Sequence, residues 1–100
     1  MIKVTVLYGQ PANADAFEAY YTTTHGPIAN RMKGVERWEL TRFQPGADGA
    51  RPAFYRMAEL YFPDAAQMQA TLASPEGQAA VADIANFATG GATMLVGEVV

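Results

Sequence analysis

The sequence predicts an α+β fold in which two helical segments cover one face of a four-stranded antiparallel sheet. Three observations support this prediction. Apolar and polar residues alternate at 2–8 and again in three later segments, as expected for strands with one buried face. Two other segments repeat their apolar residues at helical spacing. Clusters of glycine and proline separate these segments and give the order β-α-β-β-α-β.

The N-terminal third predicts a strand at 2–8 followed by a bent helix. The segment Asp15–Glu18 is typical of a capping box and begins a helix predicted over 15–32. Because proline has no backbone N–H, the helix should bend or break near Gly26–Pro27. A break at this point would leave carbonyl groups without helical partners close to His25.

The middle of the chain predicts two strands joined by a long hairpin loop. Residues 35–44 place Trp38 on the helix-facing side of the sheet, and residues 54–62 place Phe62 there. Residues 44–52 hold two prolines and two glycines. This composition favours an exposed, mobile connection.

The C-terminal third predicts an interrupted second helix and a last strand. Asp64 is placed to cap the first half, and Ser74–Pro75 supplies an N-cap serine and a first-turn proline for the second half. Gly90–Gly91 ends the helix, and residues 92–99 alternate as a strand. Four strands with helices on one face make the ferredoxin-like arrangement, and we assign residues 1–100 to one domain.

This arrangement leaves the opposite face of the sheet uncovered. We expect that face to carry Leu7, Met57, Tyr61, Leu95 and Val99 among Lys3, Thr5, Arg37 and Glu39. A chain of 100 residues has little core to spare, so a half-apolar face favours pairing over solvation. We therefore expect a homodimer formed through the sheet faces, with Glu59 bound to a basic residue of the partner subunit.

Composition narrows the classes of function. Only 17% of the residues are charged and the net charge is −3, so no basic surface for nucleic acid is expected. No apolar run approaches the ~20 residues that cross a bilayer, and the N-terminus lacks signal-peptide features. We expect a cytoplasmic protein that binds neither membrane nor nucleic acid.

One histidine and no cysteine make a poor metal donor set, and no glycine-rich nucleotide fingerprint follows the first strand. We expect no metal and no cofactor.

His25 is the residue best suited to proton chemistry. It is the only histidine, and histidine is the side chain whose unperturbed pKa lies near neutral pH. It falls at the edge of a helical stripe that contains Phe17, Tyr20, Tyr21, Thr24 and Ile28. At such an edge, we expect His25 to be half-buried and still in reach of a cavity. The alternative is that His25 only buttresses the end of the helix.

Four segments carry a resemblance to a known family. They are Phe17-x-x-Tyr20-Tyr21-x-x-x-His25-x-Pro27-Ile28, the opening Ile2–Gly9, the strand Ala58–Phe62, and the tail from Ser74–Gln78 through Asp83–Phe87. Together they resemble the EthD-like family of the dimeric α/β-barrel superfamily. Ile28 and Lys33 depart from the family pattern, in which leucine and proline are common at these positions.

The resemblance implies a protomer that pairs sheet to sheet into a barrel, with a pocket between helices and sheet in each protomer. His25 occupies the family's histidine position and is the candidate catalytic residue on that ground. Members of the family are often labelled reductases or oxidoreductases. Relatives in the superfamily include lactone isomerases, polyketide cyclases and monooxygenases, so the fold alone does not select a reaction.

Two functions remain open. The first is a cofactor-independent enzyme acting on an aromatic or lactone-like hydrophobic metabolite, with His25 as general acid or base. Its substrate-binding walls would include Tyr8, Tyr21, Trp38 and Phe62. The alternative is that these rings only pack in the hydrophobic core, and this alternative is favoured for Phe62. The second function is a non-catalytic binding or accessory module for an oxidative degradation pathway. It is favoured because no acid–base partner for His25 is evident, since Asp83 and Asn86 are interpreted as structural residues.

Overall fold

The computed structural model describes residues 1–100 and has the predicted order of elements. The strands are β1 (Ile2–Gly9), β2 (Arg37–Arg42), β3 (Phe54–Phe62) and β4 (Ala92–Glu98). The helices are α1 (Ala14–Tyr20), α2 (Gly26–Ala29), α3 (Ala65–Ala73) and α4 (Pro75–Asp83). A π-helical turn, Tyr21–His25, joins α1 to α2, and a 3₁₀ turn, Ile84–Asn86, follows α4. The α+β, ferredoxin-like fold is thus confirmed.

The sheet has the strand order β2-β3-β1-β4, and every pairing is antiparallel. Val4 lies opposite Leu60 and Val96, and Leu60 lies opposite Trp38. Directly opposed residues share a face of the sheet, so these side chains all point toward the helices. The central strands β1 and β3 hold the buried positions, and β2 and β4 form the edges.

An aromatic cluster holds the first helical region against the sheet and the C-terminal turn. The rings of Tyr8, Phe17, Tyr21 and Phe87 all contact one another, with centroid distances from 5.2 to 5.9 Å. Such edge-to-face and offset contacts add about 0.5–1.5 kcal/mol per pair to the burial of the rings. The cluster therefore fixes the position of the helical segment that carries His25.

The start of the first helix differs from the prediction. Its N-cap is Asn13, whose Oδ1 accepts a hydrogen bond from the Ala16 N–H at 3.0 Å. The predicted capping box at Asp15 and Glu18 is therefore wrong, because asparagine caps a helix as well as aspartate does and stands two residues earlier. Glu18 instead binds Arg56, as described below.

The interruption of the second helical segment is confirmed. Asp64 caps α3 by accepting from the Gln67 N–H at 2.8 Å. Ser74 caps α4 by accepting from the Gly77 N–H at 3.1 Å. None of the helices is long and apolar enough to cross a membrane.

The uncovered face of the sheet is partly shielded by its own charged side chains. Lys3 Nζ lies 2.6 Å from Glu59 Oε2, so Glu59 pairs within its own protomer, a contact that the sequence did not predict. The Arg37 guanidinium lies 4.2 Å from the centroid of the Tyr61 ring, and Tyr61 is only 6% exposed. The β4 end of the same face is open, with Leu95 53% exposed.

The end of β1 touches the segment that precedes β4. The Gly9 N–H donates to the Gly91 carbonyl at 2.9 Å, and a Cβ on Gly9 would overlap the Gly90 carbonyl oxygen. Backbone cannot move aside as the tip of a flexible side chain can, so a larger residue at this position must shift a strand end.

We expect Gly9→Ala to lower the free energy of unfolding by about 1–3 kcal/mol because of this overlap. Gly97→Ala is the matched control, since nothing lies within 4 Å of a Cβ at that position of β4. The control should be neutral or slightly stabilising, because glycine weakens a strand interior. Urea denaturation of both variants measures the difference. Equal stability of the two variants would show that the Gly9 contact does not constrain the fold.

Candidate functional site

A widened helical turn brings His25 to the inside of the fold. In the π-helical turn the Gly26 N–H bonds the carbonyl of Tyr21, five residues back. Pro27 has no N–H to donate to the Thr23 carbonyl, which is a local reason for the irregularity, and π-turns are frequent at functional sites. The bend was predicted near Gly26–Pro27, whereas the observed irregularity lies earlier, at Tyr21–His25. The helix widens before Pro27 and then continues through it as α2.

His25 and Asp83 form a buried pair that joins the π-turn to the end of α4. His25 Nδ1 lies 2.9 Å from Asp83 Oδ2, and the two residues are only 6% and 7% exposed. The other carboxylate oxygen of Asp83 accepts from the Tyr20 hydroxyl at 2.7 Å and from Asn86 Nδ2 at 3.0 Å. Three donors from separate side chains therefore hold the Asp83 carboxylate.

The interpretation that His25 lacks an acid–base partner is thus wrong. Asp83 lies 58 positions away in the sequence, and no local pattern could pair the two residues. One signal did exist. An acidic residue at the C-terminal end of a helix is opposed by the helix dipole, so Asp83 needed a compensating partner. Asn86 is one such partner, since it lies three residues later and its side-chain amide donates to Asp83.

The protonation state of the pair follows from the hydrogen bonds of Asp83. Burial favours the neutral carboxyl, but the hydrogen bonds from Tyr20, Asn86 and His25 outweigh it and lower the pKa of Asp83 below its ordinary 3.8. An ionised carboxylate can only accept hydrogen bonds, so Nδ1 of His25 is the donor. In the neutral ring Nε2 then carries the lone pair, and Nε2 has neither a protein hydrogen bond nor a fully enclosed position.

A cavity of about 50 Å³ lies next to His25, between the helices and the sheet. Apolar and aromatic side chains from all four strands and from the helical segments line it. Burial raises the pKa of Tyr8 and, against the opposing effect of Arg56, that of Tyr21. Both phenols are therefore neutral at neutral pH.

The structure brings four of the five predicted site residues together around this cavity: Tyr8, Tyr21, His25 and Trp38. Phe62 does not line it. Its side chain is 0% exposed in the core, at the far end of β3 opposite Ile2. The expectation of a half-buried His25 is wrong, because the Tyr21 and Phe87 rings cover it at centroid distances of 5.4 and 4.6 Å.

A charged network supports Tyr21 from the side of the sheet. The Arg56 guanidinium lies 4.1 Å from the centroid of the Tyr21 ring, as in cation–π contacts. Arg56 Nη1 donates to both carboxylate oxygens of Glu18, at 2.9 and 2.8 Å, and Arg42 Nη1 donates to Glu18 at 3.2 Å. These bonds link α1 to β2 and β3 and so fix one wall of the cavity.

Comparison with known proteins identifies the family. The EthD domain family matches residues 10–91 of the chain. The chain belongs to the EthD family. The family resemblance recognised in the sequence is thereby confirmed.

Relatives of the chain match it over nearly its whole length. An uncharacterized 11.0 kDa protein from the thcB–thcC intergenic region of Rhodococcus erythropolis is 42% identical over 95 residues, which make up 95% of this chain and 91% of that protein. The crystal structure of an EthD family protein from Bacillus halodurans is 32% identical, with a TM-score of 0.93 over 100% of this chain and 99% of that chain. An EthD-like protein from Ralstonia eutropha is 28% identical, with a TM-score of 0.77 over 99% and 91% of the two chains.

More distant structures share the fold alone. SnoaB, a cofactor-independent oxygenase from Streptomyces nogalater, is 17% identical with a TM-score of 0.64 over 98% of this chain and 90% of that chain. A dimeric protein of ferredoxin-like fold from Bacteroides fragilis is 11% identical with a TM-score of 0.68 over 98% and 95% of the two chains.

The low pKa of Asp83 predicts a pH-dependent contribution to stability. Since its folded-state pKa lies below the ordinary 3.8, ionised Asp83 stabilises the fold above that pH, and the contribution disappears as the pH falls through the folded-state pKa. We expect wild type to exceed Asp83→Asn in melting temperature at neutral pH, and the gap to close under acid. Asp15→Asn controls for loss of an exposed carboxylate. A gap that persists unchanged to acid pH would argue against an ionised Asp83.

Proposed function

We propose that the protein is a cofactor-independent catalyst of proton transfer, acting in the cytoplasm on an aromatic or lactone-like hydrophobic metabolite. The observation that carries this proposal is the buried His25–Asp83 pair, in which Nδ1 contacts the carboxylate and the imidazole ring lines an otherwise apolar cavity. A base in such a cavity accepts a proton without competition from water, and charges that develop there interact strongly.

The chemistry suits a substrate that bears a carbonyl group. His25 Nε2 removes a proton from the carbon beside the carbonyl and leaves an enolate, while His25 becomes an imidazolium. The Asp83 carboxylate stabilises that imidazolium through the Nδ1–H bond. Where the substrate also has a double bond β,γ to the carbonyl, the enolate is a dienolate, and return of the proton to its γ carbon completes an isomerisation with no net oxidation or reduction. Tyr8 and Tyr21, which are neutral and line the same cavity, would donate hydrogen bonds to the carbonyl oxygen.

The single base favours isomerisation or cyclisation among the activities that the family resemblance allows. These reactions need only proton movement, which one imidazole can perform. A reductase activity would in addition require a source of hydride or electrons.

The second candidate is a non-catalytic module that holds a hydrophobic metabolite for a partner oxidase. The apolar lining of the cavity favours it, because 14 of the 15 lining residues are hydrophobic and can hold a ligand without any chemical step. His25 would then serve as a hydrogen-bond acceptor for a ligand hydroxyl, without proton transfer to carbon.

Deuterium exchange tests the first candidate against the second. We expect wild-type protein to accelerate exchange of the α-hydrogens of 2-indanone in D₂O at least about tenfold over His25→Gln, a loss equal to roughly 1.4 kcal/mol. Glutamine keeps much of the volume and an amide donor for Asp83 but supplies no base. Proton NMR measures the exchange, and free imidazole at the same concentration is the background. Wild type that binds 2-indanone and exchanges it no faster than His25→Gln would favour the binding module.

We also propose that the protein forms a homodimer through the uncovered sheet face. This proposal is supported by the open apolar surface at the β4 end of that face, where Leu95 is 53% exposed. Leu95 shares the face with Thr5 and Glu59, as the strand register requires. The charged side chains at the β2 end would surround this apolar patch as a polar rim.

Two leucine variants test the dimer. We expect Leu95→Lys to shift the protein from about twice the chain mass to a monomer in sedimentation at low micromolar concentration, because a lysine would be buried without a partner. Leu40→Lys is a matched control, since Leu40 is also 53% exposed but lies on the helix-facing side, opposite Ala58. Loss of the dimer in Leu40→Lys alone would place the interface on the other face.

A further inference from the structure

A groove lies beside the His25 cavity, between the end of α4 and β4. Its volume is about 340 Å³, and besides Val6 its walls are Val81, Ile84, Ala85, Ala88, Ala92 and Met94. Val6, Val81, Ile84 and Met94 line both the cavity and the groove, so the two spaces are adjacent and share these walls. No polar side chain lines the groove.

The volumes of the two spaces indicate that a small part of a ligand would occupy the cavity and a larger part the groove. At about 50 Å³, the cavity holds on the order of four water-sized groups. A whole metabolite does not fit there, since small-molecule sites commonly measure ~300–1,000 Å³. The groove supplies the missing space, and it adjoins the cavity on the side of β4.

Building on the proposed function, we propose that the groove is the second half of the substrate site. The substrate is an elongated, uncharged molecule whose polar head reaches His25 and whose hydrocarbon part lies between α4 and β4. An ionised group in the groove would lose its water without gaining a partner, so the walls select against charge. Met94, at the junction of the two spaces, has an unbranched side chain that adapts to ligands of different shape.

The groove is distinct from the surface assigned to the homodimer. Met94 and Val6 are opposite one another in the register and lie on the helix-facing side of the sheet. Leu95 lies on the other side. The groove adjoins the cavity that His25 lines, which suits a small molecule better than a second copy of the chain.

Chain length in a series of neutral phenols tests the inference. Trp38 is the only tryptophan and lines the cavity, so its fluorescence reports occupancy. A phenol hydroxyl can donate to His25 Nε2. We expect 4-heptylphenol to bind at least about tenfold more tightly than 4-methylphenol, because its methylenes are buried in the groove. The anionic 4-heptylbenzoate should bind more weakly than 4-heptylphenol. Equal affinity of the two phenols, or no binding of 4-heptylphenol, would overturn the proposal.

Filling the groove provides the matched variants. Ala85 and Ala92 are exposed alanines of the groove wall, so Ala85→Phe and Ala92→Phe should fold and occupy it. Each should weaken 4-heptylphenol binding about tenfold or more and change 4-methylphenol binding by less than about twofold. Ala79→Phe is the control, because Ala79 is exposed on α4 outside the groove and should change neither affinity.

The outcomes separate this inference from the proposed function. Chain-length selectivity with no exchange of 2-indanone would leave the groove in place and remove the catalytic proposal. Exchange of 2-indanone without chain-length selectivity would support the catalytic proposal and remove the groove. If Ala85→Phe and Ala92→Phe alter the mass in sedimentation while the affinity for 4-heptylphenol stays intact, the groove is covered by a second copy and the inference falls.

Discussion

The hydrogen bond between His25 and Asp83 is the interaction on which the candidate site depends. It links two helical regions that are far apart in the sequence and closes one side of the cavity. Burying a carboxylate is costly unless hydrogen bonds replace its water. The three donors on Asp83 meet this requirement, and each comes from a different turn of helix. The π-turn is the backbone adjustment that accompanies the burial of His25 beside the acid.

The apolar surroundings give this pair its chemical value. In water the imidazole would be an ordinary weak base, but beside a cavity with hydrocarbon walls its free nitrogen meets few competing donors. The aromatic cluster holds the π-turn in place, and the Arg56–Glu18 pair supports Tyr21 from the sheet. The site is thus preorganised by core packing on one side and by ion pairs on the other. Specificity would then come mainly from the size and lack of charge of the space beyond His25.

The sequence predicted the elements of the fold well because they depend on local signals. Strand alternation, the caps at Asp64 and Ser74 and the glycine pair before β4 all act over a few residues. The site was predicted in part. Tyr8, Tyr21 and Trp38 were located through strand and helix periodicity, but Phe62 lies at the end of its strand that is remote from the cavity. Periodicity predicts which face of the sheet a residue is on, but it does not predict which residues along that face line the cavity.

The remaining errors concern long-range pairing. The Asp83 partner of His25 and the Lys3 partner of Glu59 both come from remote segments, and neither spacing nor composition specifies such contacts. The π-turn has a different cause, since it reflects a local balance between a proline and the packing of two buried rings. Such balances depend on tertiary contacts, which override local propensity.

The most direct test of this account is the tautomer of His25, measured by nitrogen–proton multiple-bond NMR correlation on labelled protein. With the ring neutral, the account predicts one tautomer in wild type, with the proton on Nδ1 and a bare Nε2, and loss of that exclusive state in Asp83→Asn. A wild-type ring that carries its proton on Nε2 would contradict the account, because Nε2 could not then act as a base.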